Sequence, residues 1–173
     1  MIPGFIISIL TFPGVIVHES AHMLFCKFRR IPILHVCYFR VGNPAGYVVH
    51  GEIQDFTSAF LVSVGPLIVN TLLCLFICLP AYVPVQVFGV KAPLTYFLLW
   101  LGVSIGMHSF PSTQDAKNLF VQAKREAKTF NLLALISFPL VGLIYIAKIL
   151  SIIWADYLYG IAIGVGIPHL ILG

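Results

Sequence analysis

Long apolar runs restrict the fold of this chain more than any other feature of its sequence. A helix needs about 20 consecutive apolar residues to cross roughly 30 Å of hydrocarbon. The stretches that reach or approach this length are residues 2–26, 57–79, 92–110, 131–153 and 157–172. The last stretch is short and rich in glycine, so we expect it either to span with little tilt or only to re-enter the membrane.

The composition is incompatible with a water-soluble domain. Hydrophobic residues make up 60% of the 173 positions and charged residues only 9%, whereas an average soluble domain carries about 25% charged residues. We therefore predict an all-α polytopic membrane protein with about five transmembrane helices, in which residues 1–173 form one domain embedded in the lipid bilayer. The formal net charge of +4 indicates membrane topology, and no nucleic-acid partner is expected.

Two polar segments separate the apolar stretches. Residues 27–56 alternate weakly, are rich in Val, Ile and Tyr, and contain the turn sequence Gly-Asn-Pro-Ala at 42–45. This pattern predicts a small β-hairpin at the membrane surface, about 33–41 against 46–53. Residues 112–130 predict a helix start followed by a basic amphipathic helix at the interface.

The distribution of positive charge predicts the topology. Cytoplasmic loops of membrane proteins collect Lys and Arg, and the two polar segments hold most of the basic residues of this chain. We therefore place both segments on the cytoplasmic side of a multi-pass protein of the cell membrane, with the N-terminus and loop 80–91 on the other side. The basic residues of the two segments are Lys27, Arg29, Arg30, Arg40, Lys117, Lys124, Arg125 and Lys128.

The first apolar stretch carries the most chemically informative residues. His18-Glu19-Ser20-Ala21-His22 matches the HExxH pattern, which places two histidines on one face of a helix where both imidazoles can reach one ion. Zinc binds imidazole nitrogens, and the glutamate can take the proton of an attacking water. Ionisable groups inside a span are expensive and indicate function by default. The alternative is a structural trio that hydrogen-bonds across helices.

A catalytic zinc site needs a third protein ligand. Asp115 lies just beyond the third apolar stretch, at a depth similar to that of His22, and is the favoured ligand. His108 is the alternative, or it lies near the site and orients substrate or water. Asp115 also fits a capping box with Ser112 as N-cap, and the two roles are compatible. The other candidates are His35, His50, Glu52 and Asp55 in the hairpin segment, Asp156 on the non-cytoplasmic side, and His169, which approaches the cytoplasmic side if the last stretch spans.

Cys74 and Cys78 lie four residues apart inside the second apolar stretch. Neither their spacing nor their surroundings match a disulfide framework or a Cys-x-x-Cys zinc site. We expect both to act as small apolar side chains in helix packing.

The motifs of the first three stretches resemble those of the site-2 protease family of intramembrane zinc metalloproteases. That family has HExxH in one transmembrane helix, a Gly-Pro motif with Asn in an intervening helix, and an aspartate ligand at the start of a later segment. The corresponding residues here are His18 to His22, Gly65-Pro66 with Asn70, and Asp115. The family's aspartate motif is Asn-Pro-x-Asp-Gly, whereas here Pro precedes Asp by four residues and no Gly follows. The chain therefore resembles a divergent, compact member.

The resemblance implies a zinc-dependent endopeptidase that hydrolyses peptide bonds in or near transmembrane segments of membrane proteins, at a site near the cytoplasmic side. It covers a catalytic core of about residues 5–120 and leaves about 131–173 as accessory helices. The alternative functions are a non-catalytic zinc-binding membrane scaffold and a metal transporter. The expected Zn²⁺ ligands are His18, His22 and Asp115, the expected base is Glu19, and the residues expected to bind substrate or stabilise the oxyanion are Asn70 and His108.

Overall fold

The computed structural model describes residues 4–86, 88–127 and 154–172, together with 136, 138–139, 141–142, 144–146 and 150. The described chain is mostly helical, with one two-stranded antiparallel sheet, as the sequence predicts. In chain order the helices are α1 (Gly4–Leu10), α2 (Phe12–Phe28), α3 (Phe56–Gln86), α4 (Pro93–Met107), α5 (Thr113–Ala127) and α6 (Ala155–Leu172), and the strands β1 (Ile33–Cys37) and β2 (Tyr47–His50) lie between α2 and α3.

The first apolar stretch folds as two helices rather than one. The break lies at Thr11, whose hydroxyl donates to the carbonyl oxygen of Ile7 at 2.7 Å. Pro13 follows in the first turn of α2, where its missing N–H leaves no hydrogen bond unmade and its fixed φ favours a helix start. The HExxH residues therefore lie in the middle of α2, away from the break.

Among the described residues, two helices are long and apolar enough to cross a membrane, α3 with 31 residues and α6 with 18. Helix α4 is apolar but has only 15 residues, about 22 Å of helix against roughly 30 Å of hydrocarbon. Large apolar side chains of α3 are exposed along one face at Ile68, Leu72 and Phe76. The stretch 131–153 falls largely outside the described residues, so the five spans stay a prediction.

The predicted hairpin forms, with shorter strands than expected. β1 and β2 pair antiparallel, and the ladder ends with Cys37 opposite Tyr47. In the connecting loop 38–46, the N–H of Arg40 donates to the carbonyl oxygen of Ala45 at 2.7 Å. This hydrogen bond lies within the connecting loop and is not part of the ladder, so the paired strands end at Cys37 and Tyr47.

Small side chains bring α3, α4 and α6 together. A β-carbon added at Gly102 of α4 would collide with the Cys78 sulfur of α3, and one added at Gly106 would lie 2.8 Å from the Cys74 sulfur. A β-carbon at Gly164 of α6 would lie 3.1 and 3.2 Å from the same two sulfurs. Both cysteines are fully buried, so they pack as small apolar residues where helices approach closely.

The direction of α6 differs from the predicted one. Gly160, near its start, packs on the end of α4, whereas His169, near its end, forms a 2.9 Å hydrogen bond with the Tyr82 hydroxyl close to the end of α3. The start of α6 therefore lies at the same end of the bundle as the HExxH residues. The prediction that placed Asp156 on the opposite side and His169 toward the site is therefore wrong.

Helix α5 lies against the N-terminal half of α3. Its Leu119 and Ala123 are buried in a cluster with Phe56 and Val64 of α3, and the described residues Val141 and Ile144 complete that cluster. Its opposite face is polar and exposed, so the helix is amphipathic as the sequence predicts. This packing holds the first turn of α5 beside α2. The exposed basic residues of α5 are Lys117, Lys124 and Arg125.

Candidate metal centre

Two histidines of α2 face each other inside the protein. His18 and His22 are one helical turn apart, and their side chains project from the same face. Their Nε2 atoms lie 3.1 Å apart, and the two residues are only 7% and 6% exposed. The helix alone therefore creates a buried pair of imidazole nitrogens.

Backbone carbonyl groups fix the tautomer of both rings. His18 Nδ1 lies 2.6 Å from the carbonyl oxygen of His108, and His22 Nδ1 lies 3.0 Å from that of Val62. Because a carbonyl oxygen only accepts, both Nδ1 atoms carry hydrogen, and the two Nε2 atoms are left to share a proton or to bind a metal ion. At 3.1 Å the pair of Nε2 atoms needs one or the other, since two lone pairs facing each other repel. Metal-binding histidines characteristically bond their second ring nitrogen to a carbonyl or carboxylate in this way.

Asp115 joins this pair from the first turn of α5. Its Oδ2 lies 3.4 Å from His22 Nε2, and the ligand atoms of His18, His22 and Asp115 all lie within 4.8 Å of one another. The same Oδ2 accepts hydrogen bonds from the Ser112 N–H at 3.1 Å and from the Ser112 hydroxyl at 2.5 Å. The Asp115 N–H donates back to the Ser112 hydroxyl oxygen at 3.2 Å. The capping box and the position beside the histidines therefore coexist.

The electrostatics of Asp115 suit a metal ligand. Burial acts to raise the pKa of its carboxyl, but the interaction with the His22 ring and the hydrogen bond from Ser112 outweigh burial and hold that pKa below its usual range. The carboxylate is therefore ionised at neutral pH, as a ligand to a divalent cation must be.

The three side chains fit a zinc ion. Two imidazole nitrogens and one carboxylate oxygen make a donor set that zinc accepts, and three protein ligands leave one position open. Comparisons of this chain with protein-family models, with curated proteins and with solved structures find no match. Support for metal binding therefore comes from the donor set and from the carbonyl groups that orient it.

Glu19 lies under the hairpin loop. It is 7% exposed, and a β-carbon added at Gly46 would lie 2.7 Å from its Cγ and 3.0 Å from its Oε1. Only glycine allows the loop to approach the carboxylate this closely. Among the described residues no hydrogen-bond partner is assigned to the Glu19 carboxylate, which leaves its oxygens available to a water molecule.

Asn70 supports the site from α3. The residue is fully buried, and its Nδ2 donates to the carbonyl oxygens of Ile105 at 3.2 Å and His108 at 2.9 Å. The His108 carbonyl oxygen is the group that also accepts from His18. Asn70 therefore anchors the end of α4 and, through it, the orientation of the His18 ring. Its Oδ1 is buried without a partner among the described residues.

The His108 side chain points away from the other two histidines. Its Nε2 lies 2.8 Å from the Thr11 hydroxyl oxygen, and a β-carbon at Gly14 would lie 2.6 Å from its Cδ2. Within the described residues, the group that can hold a metal includes Asp115 and not His108. The His108 backbone carbonyl oxygen accepts from His18, and the role of the His108 imidazole in binding substrate or stabilising the oxyanion stays a prediction.

The remaining candidates lie elsewhere and join no metal-ligand group among the described residues. Asp55 begins α3, where its Oδ1 accepts from the Ser58 N–H at 2.8 Å and pairs with Arg29 at 3.4 Å. Hydrogen bonds with Ser58, assisted by the nearby Arg29, hold the pKa of Asp55 below its usual value. The other positions are His35 stacked on Tyr47, His50 bonded to the Gly51 carbonyl oxygen, and His169 bonded to Tyr82.

Sequence reasoning missed three features of the site. The carbonyl groups of Val62 and His108 orient the ligands, but a carbonyl group is common to every residue and leaves no signal in a sequence. Gly46 directly follows the turn sequence at 42–45 and was not singled out. Its contact with Glu19 joins residues that are distant in the chain, and local pattern does not predict such a contact.

Proposed function

We propose that this chain is an intramembrane zinc metalloprotease that hydrolyses peptide bonds in or near the transmembrane segments of membrane proteins. The observation that carries the proposal is the pair of histidine Nε2 atoms 3.1 Å apart, each ring bonded through Nδ1 to a backbone carbonyl group, with Asp115 beside them. A purely structural trio would share a proton among His18, His22 and Asp115 instead. The bonds from both Nδ1 atoms to backbone carbonyl groups favour a metal, because metal-binding histidines characteristically bond their second ring nitrogen in this way.

His18, His22 and Asp115 would hold the ion. When bound, zinc supplies Lewis acidity toward a water molecule and toward a peptide carbonyl group. The carbonyl groups of Val62 and His108 keep the two Nε2 atoms aimed inward and raise the basicity of the rings. Asn70 keeps the second of these carbonyl groups in place.

Glu19 is the general base. As the oxygen of the attacking water bonds to the scissile carbonyl carbon, a proton passes from that water to the Glu19 carboxylate. Glu19 then gives the proton to the leaving nitrogen while the C–N bond breaks, so the products are a carboxylic acid and an amine, and the acid then loses its own proton to solvent. Proton transfer of this kind contributes about 10²–10⁴-fold to a rate.

A position inside the membrane is supported by the apolar surface and by the charges. Helices α3 and α6 have the length and composition of spans, and α2 ends at Phe28 beside Arg29, which contacts the start of α3 through Ser58. Basic residues mark the cytoplasmic side. Glu19 lies nine residues before Phe28, about 14 Å along the helix, so the catalytic group lies below the cytoplasmic surface and the N-terminus lies on the opposite side.

The proposal is tested by co-expressing wild type, Glu19→Gln or the neighbouring control Ser20→Ala with a panel of single-span membrane proteins. We expect wild type and Ser20→Ala to bind one zinc ion per chain and to cleave at least one panel member. Glu19→Gln keeps its zinc and cleaves at least about 100-fold more slowly. Unimpaired cleavage by Glu19→Gln, or a wild-type protein without zinc, contradicts the proposal.

One outcome favours the alternatives. If the wild type binds zinc and cleaves no panel member, a scaffold or a metal transporter accounts better for the site. Zinc uptake into proteoliposomes then separates these two, because only the transporter moves the ion across the bilayer.

A further inference from the structure

A polar cleft of about 640 Å³ opens beside the candidate metal ligands. Its walls are the segment 50–54, the beginning of α3 and one face of α5. Asp115 is part of its lining, and so is Val62, whose carbonyl oxygen accepts the hydrogen bond from His22. The cleft is therefore continuous with the candidate active site.

The length of the cleft is set by α5. Asp115, Asn118, Gln122 and Arg125 all line it, and their spacing of three, four and three residues places them on one face of the helix. Asp115 and Arg125 are ten residues apart, about 15 Å along a helix. An extended peptide rises about 3.3 Å per residue, so four to five of its residues match this length.

The polar groups in the cleft match a peptide backbone. Gln54 and Gln122 both line the cleft, and in the part of the chain that the structure describes no hydrogen-bond partner is assigned to either amide. The Oδ1 of Asn118 accepts from Gln114 at 2.8 Å, which leaves the Asn118 NH₂ group as a donor into the cleft. Amide side chains offer both donors and acceptors, the complement of peptide C=O and N–H groups. Val62 and Leu119 supply an apolar floor.

We propose that this cleft binds the polar juxtamembrane flank of the substrate, as an extended peptide of four to five residues that leads from the scissile bond along α5. The inference rests on the proposed protease function and identifies what the enzyme recognises outside the bilayer. A helical flank keeps its own N–H and C=O groups bonded and offers none to the cleft amides. We therefore expect the enzyme to prefer substrates whose hydrophobic segment is followed by a non-helical, polar stretch on the cytoplasmic side.

The first experiment measures kcat and KM in detergent for each panel protein that the wild type cleaves, with its full flank and with the flank cut to one residue. Shortening the flank raises KM at least about fivefold, the effect of losing one or two modest hydrogen bonds. The double variant Asn118→Ala with Gln122→Ala raises KM for the full flank by a similar factor, leaves kcat unchanged and has no effect on the shortened substrate. The control Lys117→Ala, exposed on α5 outside the cleft, changes neither constant.

A cleft that only admits water predicts different results. In that case flank length has no effect on KM, and the double variant changes kcat equally for both substrates. Either result overturns the proposal.

A second experiment separates failure of this inference from failure of the protease proposal. Chains carrying Glu19→Gln and Gln122→p-benzoylphenylalanine are irradiated with the same panel, and crosslinks are mapped by mass spectrometry. Crosslinks to flank residues without wild-type cleavage support the binding cleft and contradict the protease. Cleavage without flank crosslinks and without dependence of KM on the flank supports the protease and contradicts the cleft. Absence of both results contradicts both.

Discussion

Two regions of the bundle are built in different ways. In the metal-ligand region, formed by α2, α5 and the end of α4, buried polar side chains are held by hydrogen bonds to backbone carbonyl groups, as His18 and His22 are. In the packing region, where α3, α4 and α6 meet, Cys74 and Cys78 fill the narrow space that glycines leave. The first region depends on the direction in which side chains point, and the second depends on their volume.

This difference determines what a substitution does in each region. In the metal-ligand region, a histidine ring that loses its hydrogen bond to a carbonyl group no longer directs its Nε2 atom at the metal. The surrounding helices stay packed. An added methyl group in the packing region forces helices apart and leaves the ligands in place. We therefore expect metal affinity and turnover to respond to changes in the metal-ligand region, and the free energy of unfolding to respond to changes in the packing region.

The largest effect is expected for Asp115→Ala. Loss of one of three protein ligands lowers zinc affinity by at least about 100-fold, the upper end of what losing an outer-sphere partner does. Competition with a zinc chelator measures this change. Thr113→Ala, exposed in the same turn of α5, serves as the matched control and keeps wild-type affinity. If Asp115→Ala binds zinc with wild-type affinity, Asp115 is not a ligand, and the metal-ligand region does not include α5.

Gly164→Ala tests the packing region. Its new methyl group meets Val103 Cγ2 at 2.9 Å and the two cysteine sulfurs at 3.1 and 3.2 Å, an overpacking that lowers the free energy of unfolding by about 2 kcal/mol. Zinc affinity stays at the wild-type value. Gly166→Ala is the control in the same helix, since its β-carbon meets only the Ile161 carbonyl oxygen at 3.9 Å. Reversible unfolding in mixed micelles measures both, and equal values for the two variants contradict the packing account.

Gly46→Ala tests the contact between the hairpin loop and Glu19. The new β-carbon, 3.0 Å from Glu19 Oε1, shifts either the base or the loop, and small displacements of catalytic groups lower rates steeply. We expect kcat to fall about tenfold while zinc stays bound, a barrier increase of about 1.4 kcal/mol. Gly42→Ala in the same loop meets only Arg40 Nε at 3.8 Å and keeps wild-type turnover. A tenfold loss in both variants assigns the effect to the loop in general.

The smallest effect is expected at the start of α3. Asp55→Ala removes a helix cap and lowers the free energy of unfolding by about 1 kcal/mol at neutral pH, because the exposed ion pair with Arg29 adds little. The pKa of Asp55 is lowered in the folded protein, so its stabilisation is present above the ordinary Asp value of about 3.9. It is lost as the pH falls through the folded-state pKa. Unfolding curves of wild type and variant converge at acidic pH, and a constant difference contradicts the assignment.

Sequence alone predicted the parts of the site that one helix encodes. The spacing of His18 and His22 fixes their geometry within α2, and Ser112 with Asp115 forms the capping box that the pattern indicates. Placing Asp115 beside His22 required an argument about depth, which succeeded because the third apolar stretch ends at the same side of the bundle as the basic end of α2.

The parts that the sequence did not predict depend on contacts between distant segments. The direction of α6 follows from the contacts of Gly160 and Gly164 with α3 and α4, and a count of apolar stretches does not predict such contacts. The break at Thr11 was also missed, since Pro13 is compatible with a continuous helix or with a new helix start. Similarly, the hydrogen bond from His18 to the His108 carbonyl group was not predicted, because only the imidazole of His108 made it a candidate.

X-ray absorption at the zinc edge of the purified, zinc-loaded protein distinguishes a metal at His18, His22 and Asp115 from a metal elsewhere in the chain. We expect one zinc ion per chain with two imidazole nitrogens and with oxygen ligands, all near 2.0–2.1 Å. A sulfur shell near 2.3 Å would place the metal at Cys74 and Cys78 in the packing region, and a protein without zinc would mean that a shared proton holds the histidine pair together. Either result contradicts the account.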